Sequence, residues 1–98
     1  MKLFHGTTEE AKELIEQHGF NTDLVFLTPR KDVAEDYGYE VVDVNVDEEN
    51  LLIDLDMPGA IGVSVETANA YTGNDWTIDE YIDAGHSVCA KTEHVSIA

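Results

Sequence analysis

The chain reads as an α+β domain, with mixed or antiparallel central strands and short helices on their flanks. Three observations predict it. Two apolar runs, Leu3-Phe4 and Leu24-Val25-Phe26-Leu27, each lead through a hydroxyl residue into a short helical pattern that stops at a glycine, Gly19 or Gly38. Val42, Val44 and Val46 alternate with Asp43, Asn45 and Asp47, the period of a strand with one face in water. The tail holds two more short extended stretches around Lys91-Thr92. A chain of 98 residues carrying these elements makes one domain, 1–98, with a core of limited size.

Each element has its own reason. Leu3-Phe4 is a strand whose end, His5-Gly6-Thr7, leaves the core, and the glycine there lets another molecule approach the backbone. Thr7-Thr8-Glu9-Glu10 is a capping-box pattern, with Thr7 placed to accept from a backbone amide and Glu10 to reach back. Ala11, Leu14, Ile15 and His18 then repeat at helical spacing as one buried stripe, and Gly19 supplies the left-handed stop. Leu24–Leu27 is continuously apolar, which predicts a strand buried on both faces. Thr28 is the expected N-cap of the next helix, with Pro29 at its first position and Val33, Ala34 and Tyr37 on one face.

Beyond the valine strand, Asp47–Asn50 is a turn or a single helical turn, Leu51–Asp56 is extended, and Met57-Pro58-Gly59 closes it. From Ala60 to Ala84 the pattern favours helix. Val65, Ala68 and Tyr71 share a face, Thr77-Ile78-Asp79-Glu80 is a second capping box, and Gly85 ends the run. Trp76, just before that cap, is expected to plug the core or a hinge rather than to bind a ligand. His86–Ala90 and Glu93–Ile97 are expected as two short strands.

The charge balance excludes several functions. Twenty-one Asp and Glu against five Lys and Arg give a net charge of −16. Such a surface repels nucleic acid, whose binding needs clustered cations, and Lys2, Lys12, Arg30, Lys31 and Lys91 are scattered. The acidity suits a plain solvated surface, a mimic of nucleic acid, or attraction of a basic protein. No apolar run spans a bilayer and no signal peptide is evident, so no membrane role and a cytoplasmic location are expected. One cysteine, Cys89, permits no internal disulfide. The acidic stretch Asp43–Asp56 lacks the glycine and terminal glutamate of a calcium loop, so no metal is expected. Pairing Cys89 with His86 or His94 as a nucleophile is disfavoured, since neighbours on one strand seldom reach attack geometry.

His5-Gly6-Thr7, the unit Val25-Phe26-Leu27-Thr28 with Ala34 and Tyr37, and the late Glu93-His94-Val95 together resemble the ADP-ribosyltransferase fold. The nearer branch is that of diphtheria toxin and the poly-ADP-ribose polymerases, whose signature is His, Tyr and Glu on three strands. Val44-Asn45-Val46-Asp47 and Asn50-Leu51-Leu52-Ile53-Asp54 are also similar to small bacterial and phage members. The resemblance implies that NAD is the substrate. His5 would bond the adenosine ribose, Gly6 would pair its backbone with the nicotinamide carboxamide, and Thr7 and Thr28 would shape the same wall. Glu93 would be the catalytic carboxylate that grips the nicotinamide ribose. The stacking tyrosine of the family is replaced by Phe26, while Tyr37 matches the second aromatic across the ring.

The chemistry agrees with these roles. Breaking the bond from nicotinamide to ribose passes through an oxocarbenium-like state, which a carboxylate stabilises as charge develops. Stacked aromatic rings and backbone pairing hold the leaving group in place. The implied activity is a minimal mono-ADP-ribosyltransferase acting on a macromolecular, protein target, a phage or bacterial effector. The alternative is an inactive relative whose acidic surface mimics nucleic acid and blocks a host defence complex. An RNA 2′-phosphotransferase is disfavoured, because RNA needs a basic cleft.

Overall fold

The computed structural model describes residues 1–98. In chain order the elements are β1 (Lys2–Thr7), α1 (Glu9–His18), β2 (Leu24–Leu27), α2 (Lys31–Tyr37), β3 (Glu40–Asn45), β4 (Leu52–Asp54), β5 (Ile61–Val63), α3 (Val65–Thr72), α4 (Ile78–Asp83), β6 (Ser87–Lys91) and β7 (Ser96–Ile97). Short 3-10 turns occupy Glu48–Asn50 and Thr92–His94. The class is α+β, and all strand pairs are antiparallel. One sheet runs β1-β3-β7 and the other β2-β6-β4-β5. A single bridge, Phe4 to Thr28, joins the sheets.

The core lies between the inner faces of the two sheets. Leu3, Val42 and Val44 come from the first, and Val25, Leu27, Ile53, Val88 and Ala90 from the second. Ile15, Ala68, Ile78 and Tyr81 close it from the helices. The alternation at Val42, Val44 and Val46 is realised, with all three buried. Both halves of the Thr77–Glu80 capping box are present. Trp76 is half-buried and sits edge-on to Tyr81 with centroids 5.0 Å apart.

The helix α2 is clamped to β1 by two glycines. A side chain at Gly6 would lie 1.9 Å from the Ala34 carbonyl oxygen, and one at Gly38 would lie 2.2 Å from that of Thr7. Backbone therefore rests on backbone along this seam. Ala34 is buried there, apart from the main core.

Several expectations are corrected. The cap of α1 is Thr8, whose Oγ1 accepts from the Ala11 amide at 3.2 Å, because Thr7 is still the last rung of β1, opposite Glu40. The buried stripe of α1 shrinks to Ile15, and Leu14 is 59% exposed. Thr28 does not cap α2. Both its backbone groups are bonded to Phe4, which holds it extended, so the helix begins at Lys31 and the Thr28 hydroxyl instead accepts from the Arg30 amide at 3.2 Å. The region from Ala60 is not one helical stretch. Gly59 and Gly62, at φ +77° and +72°, break it and let Ile61–Val63 pair with β4. The last predicted strand, Glu93–Ile97, is extended only at Ser96–Ile97, which pair with β3, while Glu93 and His94 belong to a 3-10 turn.

Candidate functional site

The site lies where β1 and β2 part. An antiparallel ladder that begins at Phe4 and Thr28 would continue with Gly6 opposite Phe26, two residues on along each strand. It does not. Phe4 and Thr28 exchange both backbone bonds, at 2.8 and 3.0 Å, but no backbone bond joins Gly6 to Phe26. The Phe26 carbonyl accepts instead from His5 Nδ1 at 2.8 Å.

This substitution has two consequences. A carbonyl can only accept, so His5 carries its proton on Nδ1, and in the neutral ring Nε2 is an acceptor. The Phe20 ring stands edge-on to the imidazole at 5.1 Å and fixes its plane. The second consequence falls on Gly6. Its N–H and C=O alternate with those of His5 and point away from β3, into the fork, where no strand lies beside them. An adjacent donor and acceptor are thus offered at one residue.

The fork opens into a cleft of about 540 Å³, within the range of small-molecule sites. Its walls bring together His5, Gly6, Phe26, Thr28 and Tyr37, five of the residues singled out in the sequence. β2 is not buried on both faces as expected. Val25 and Leu27 enter the core, while Phe26 is 46% exposed on the cleft side. Tyr37, at the end of α2, is 77% exposed. Two aromatic rings therefore border the Gly6 edge with little protein over them.

Thr7 and Glu93 are not on these walls. Thr7 ends β1 with its backbone against Gly38, so it holds the wall from behind. Glu93 lies in the 3-10 turn after β6, beside Thr22, Asp23 and Lys91, in a separate groove. Leu24 pairs with Lys91 at that end of the ladder and Leu27 with Val88 at the cleft end, which separates the two places by about 10 Å. The Thr92 amide donates to the Asp23 carbonyl at 3.1 Å, and its hydroxyl bonds the Thr22 carbonyl, so the turn is tied there. Glu93 is exposed, with His94 Nε2 at 3.8 Å.

The tertiary fold adds Arg30, Asp54, His86 and Ser87 to the cleft, residues to which the sequence assigned no role in NAD binding. Arg30 Nη2 is bound to Asp32 Oδ2 at 2.8 Å, and the guanidinium holds the Asp32 carboxyl below its usual range. Lys31 lines a different groove. Cys89 is fully buried opposite Phe26, and burial, with the Asp54 charge as a smaller cause, pushes its thiol up to about 11. A thiol so protonated is no nucleophile at neutral pH. No three His, Cys, Asp or Glu side chains are grouped to hold a metal ion. No helix is long and apolar enough to cross a membrane.

What the fold and site define is a small two-sheet α+β domain with an aromatic-bordered cleft at a split between strands. No protein-family model matches the chain, and no curated protein or solved structure matches it.

Proposed function

We propose that the cleft receives the nicotinamide end of NAD and that the protein transfers ADP-ribose from it to a macromolecular target, on an ADP-ribosyltransferase-like fold. The observation that carries this reading is the unpaired edge of Gly6 between Phe26 and Tyr37. A primary carboxamide offers one donor and one acceptor, the complement of a lone backbone N–H and C=O, and its planar ring stacks on exposed aromatic faces. His5 Nε2 supports the same reading, since an acceptor on the cleft wall suits a ribose hydroxyl.

The test is titration with NAD followed by NMR, and incubation of cell lysate with NAD labelled in its adenylate half. Expected are shifts at Gly6 and Phe26, saturable by free nicotinamide, and label on a protein target. Substituting Phe26→Ala should weaken NAD binding by roughly tenfold, the worth of one aromatic contact. Absence of NAD binding at millimolar concentration would sink the reading.

A second reading is favoured by specific observations. Arg30 is the one cation on the cleft wall and it is engaged by Asp32, so a pyrophosphate finds little counter-charge. With the net charge of −16, this supports a binding protein that mimics nucleic acid and blocks a basic partner. Binding of that kind weakens steeply between about 50 and about 200 mM salt, on the order of tenfold or more, and is indifferent to His5→Ala.

A further inference from the structure

Resting on the NAD reading, we infer that Asp54, not Glu93, is the carboxylate that faces the nicotinamide ribose and acts as the catalytic residue. Asp54 is the one acidic residue on the cleft wall. It ends β4, opposite Ser87 of β6, at a register shift between Ile53 and Asp54 on the β5 side. The β4-β6 ladder itself runs on without a shift, and since Ser87 stands two residues from Cys89, the partner of Phe26, it places Asp54 on the same sheet face as Phe26.

The carboxylate is also held. Its Oδ1 accepts from the Asp56 amide at 2.8 Å, and Asp56 sits at φ +56°, alone among non-glycine residues in the left-handed region. The turn thus fixes one oxygen and leaves the other for a ligand. No Lys, Arg or His stands within ion-pairing distance of Asp54. Its negative charge is therefore available to the cleft. Glu93 has neither property, being exposed on a turn tied to the far end of the β2-β6 ladder.

In the transfer, the bond from ribose C1′ to the pyridinium nitrogen breaks with its electron pair passing to the ring, which leaves as neutral nicotinamide. Positive charge appears at C1′ and the ribose ring oxygen, facing the free oxygen of Asp54. An acceptor hydroxyl, or water, forms the new C1′–O bond. Its proton passes to the Asp54 carboxylate and then to solvent.

Asp54→Asn keeps an oxygen acceptor for the Asp56 amide and removes only the charge. Nicotinamide release from NAD is measured for wild type, D54N and E93Q, together with NAD affinity by NMR and thermal melting. D54N is expected to lose about a hundredfold or more in rate with affinity within about threefold, and E93Q to stay near wild type in both. If D54N melts early, Asp54→Ser, whose hydroxyl also accepts in the turn, is judged by the same criteria. Retention of rate in the Asp54 variant overturns the inference, as does an equal loss in E93Q. Wild type that binds NAD but releases no nicotinamide overturns it as well, whereas wild type that binds no NAD removes the NAD reading itself.

Discussion

Gly6 does two things that no other residue type can do in its place. Toward α2 it leaves room for the Ala34 carbonyl, 1.9 Å from where a Cβ would stand, and toward the cleft it shows bare backbone. Gly6→Ala is therefore expected to push α2 off β1 and cost about 3 kcal/mol, because backbone must move on one side or the other. Thermal unfolding should show a fall in Tm of more than about 10 °C, at about 4–8 °C per kcal/mol for a domain of this size. Cys89 gives a second prediction at this scale. Its folded-state pKa, about 11, lies above the ordinary 9.0, so between those values the folded chain holds a proton that the unfolded chain releases. Stability from this group is complete below about pH 9 and is lost as the pH rises toward about 11, by about 1–2 kcal/mol. Denaturant unfolding of wild type and Cys89→Ala over that range should show a steeper decline for wild type.

At the scale of elements, the segment between α3 and α4 is held by side chains rather than by a ladder. Asn69 Nδ2 donates to the Trp76 carbonyl at 3.1 Å, while its Oδ1 accepts from the Trp76 amide at 3.2 Å and from the Tyr81 hydroxyl at 2.5 Å. One amide thus stands in for a strand neighbour beside a loop that has none. Asn69→Ala leaves those partly buried groups without partners and is expected to cost about 2 kcal/mol, more than the loss of a surface cap. Thr77→Ala, which opens the capping box of α4, should cost about 1 kcal/mol. Paired melts of the two variants test the order, and a Thr77 variant that loses more than the Asn69 variant would show that α4 depends on its cap and not on the Asn69 bridge.

Charge governs the molecule as a whole. Only three Lys or Arg ion pairs form, all on accessible side chains, against a net charge of −16. The folded state therefore crowds like charges that the unfolded chain spreads out. Raising NaCl from about 10 mM to about 500 mM should screen this repulsion and lift Tm by several degrees. A flat response would mean that the acidic residues are too dispersed over the surface to oppose folding.

What the sequence by itself determined was anything set by neighbours along the chain. The valine alternation predicted β3 because a strand repeats every two residues, and Thr77-x-x-Glu80 predicted the start of α4 because a capping box is closed within one turn. His5, Gly6, Phe26, Thr28 and Tyr37, which local pattern does not connect and only the family resemblance grouped, line one cleft. The tertiary structure decided the rest. Only the fork between β1 and β2 turned Phe26 outward, took Thr28 from a cap into a bridge and freed the Gly6 edge, since each depends on which strand lies alongside. Likewise, Glu93 left the group and Asp54 joined it through the pairing of β6 with β2 and β4. Hydrogen-bond register between distant strands fixes such positions, and local sequence carries no record of it.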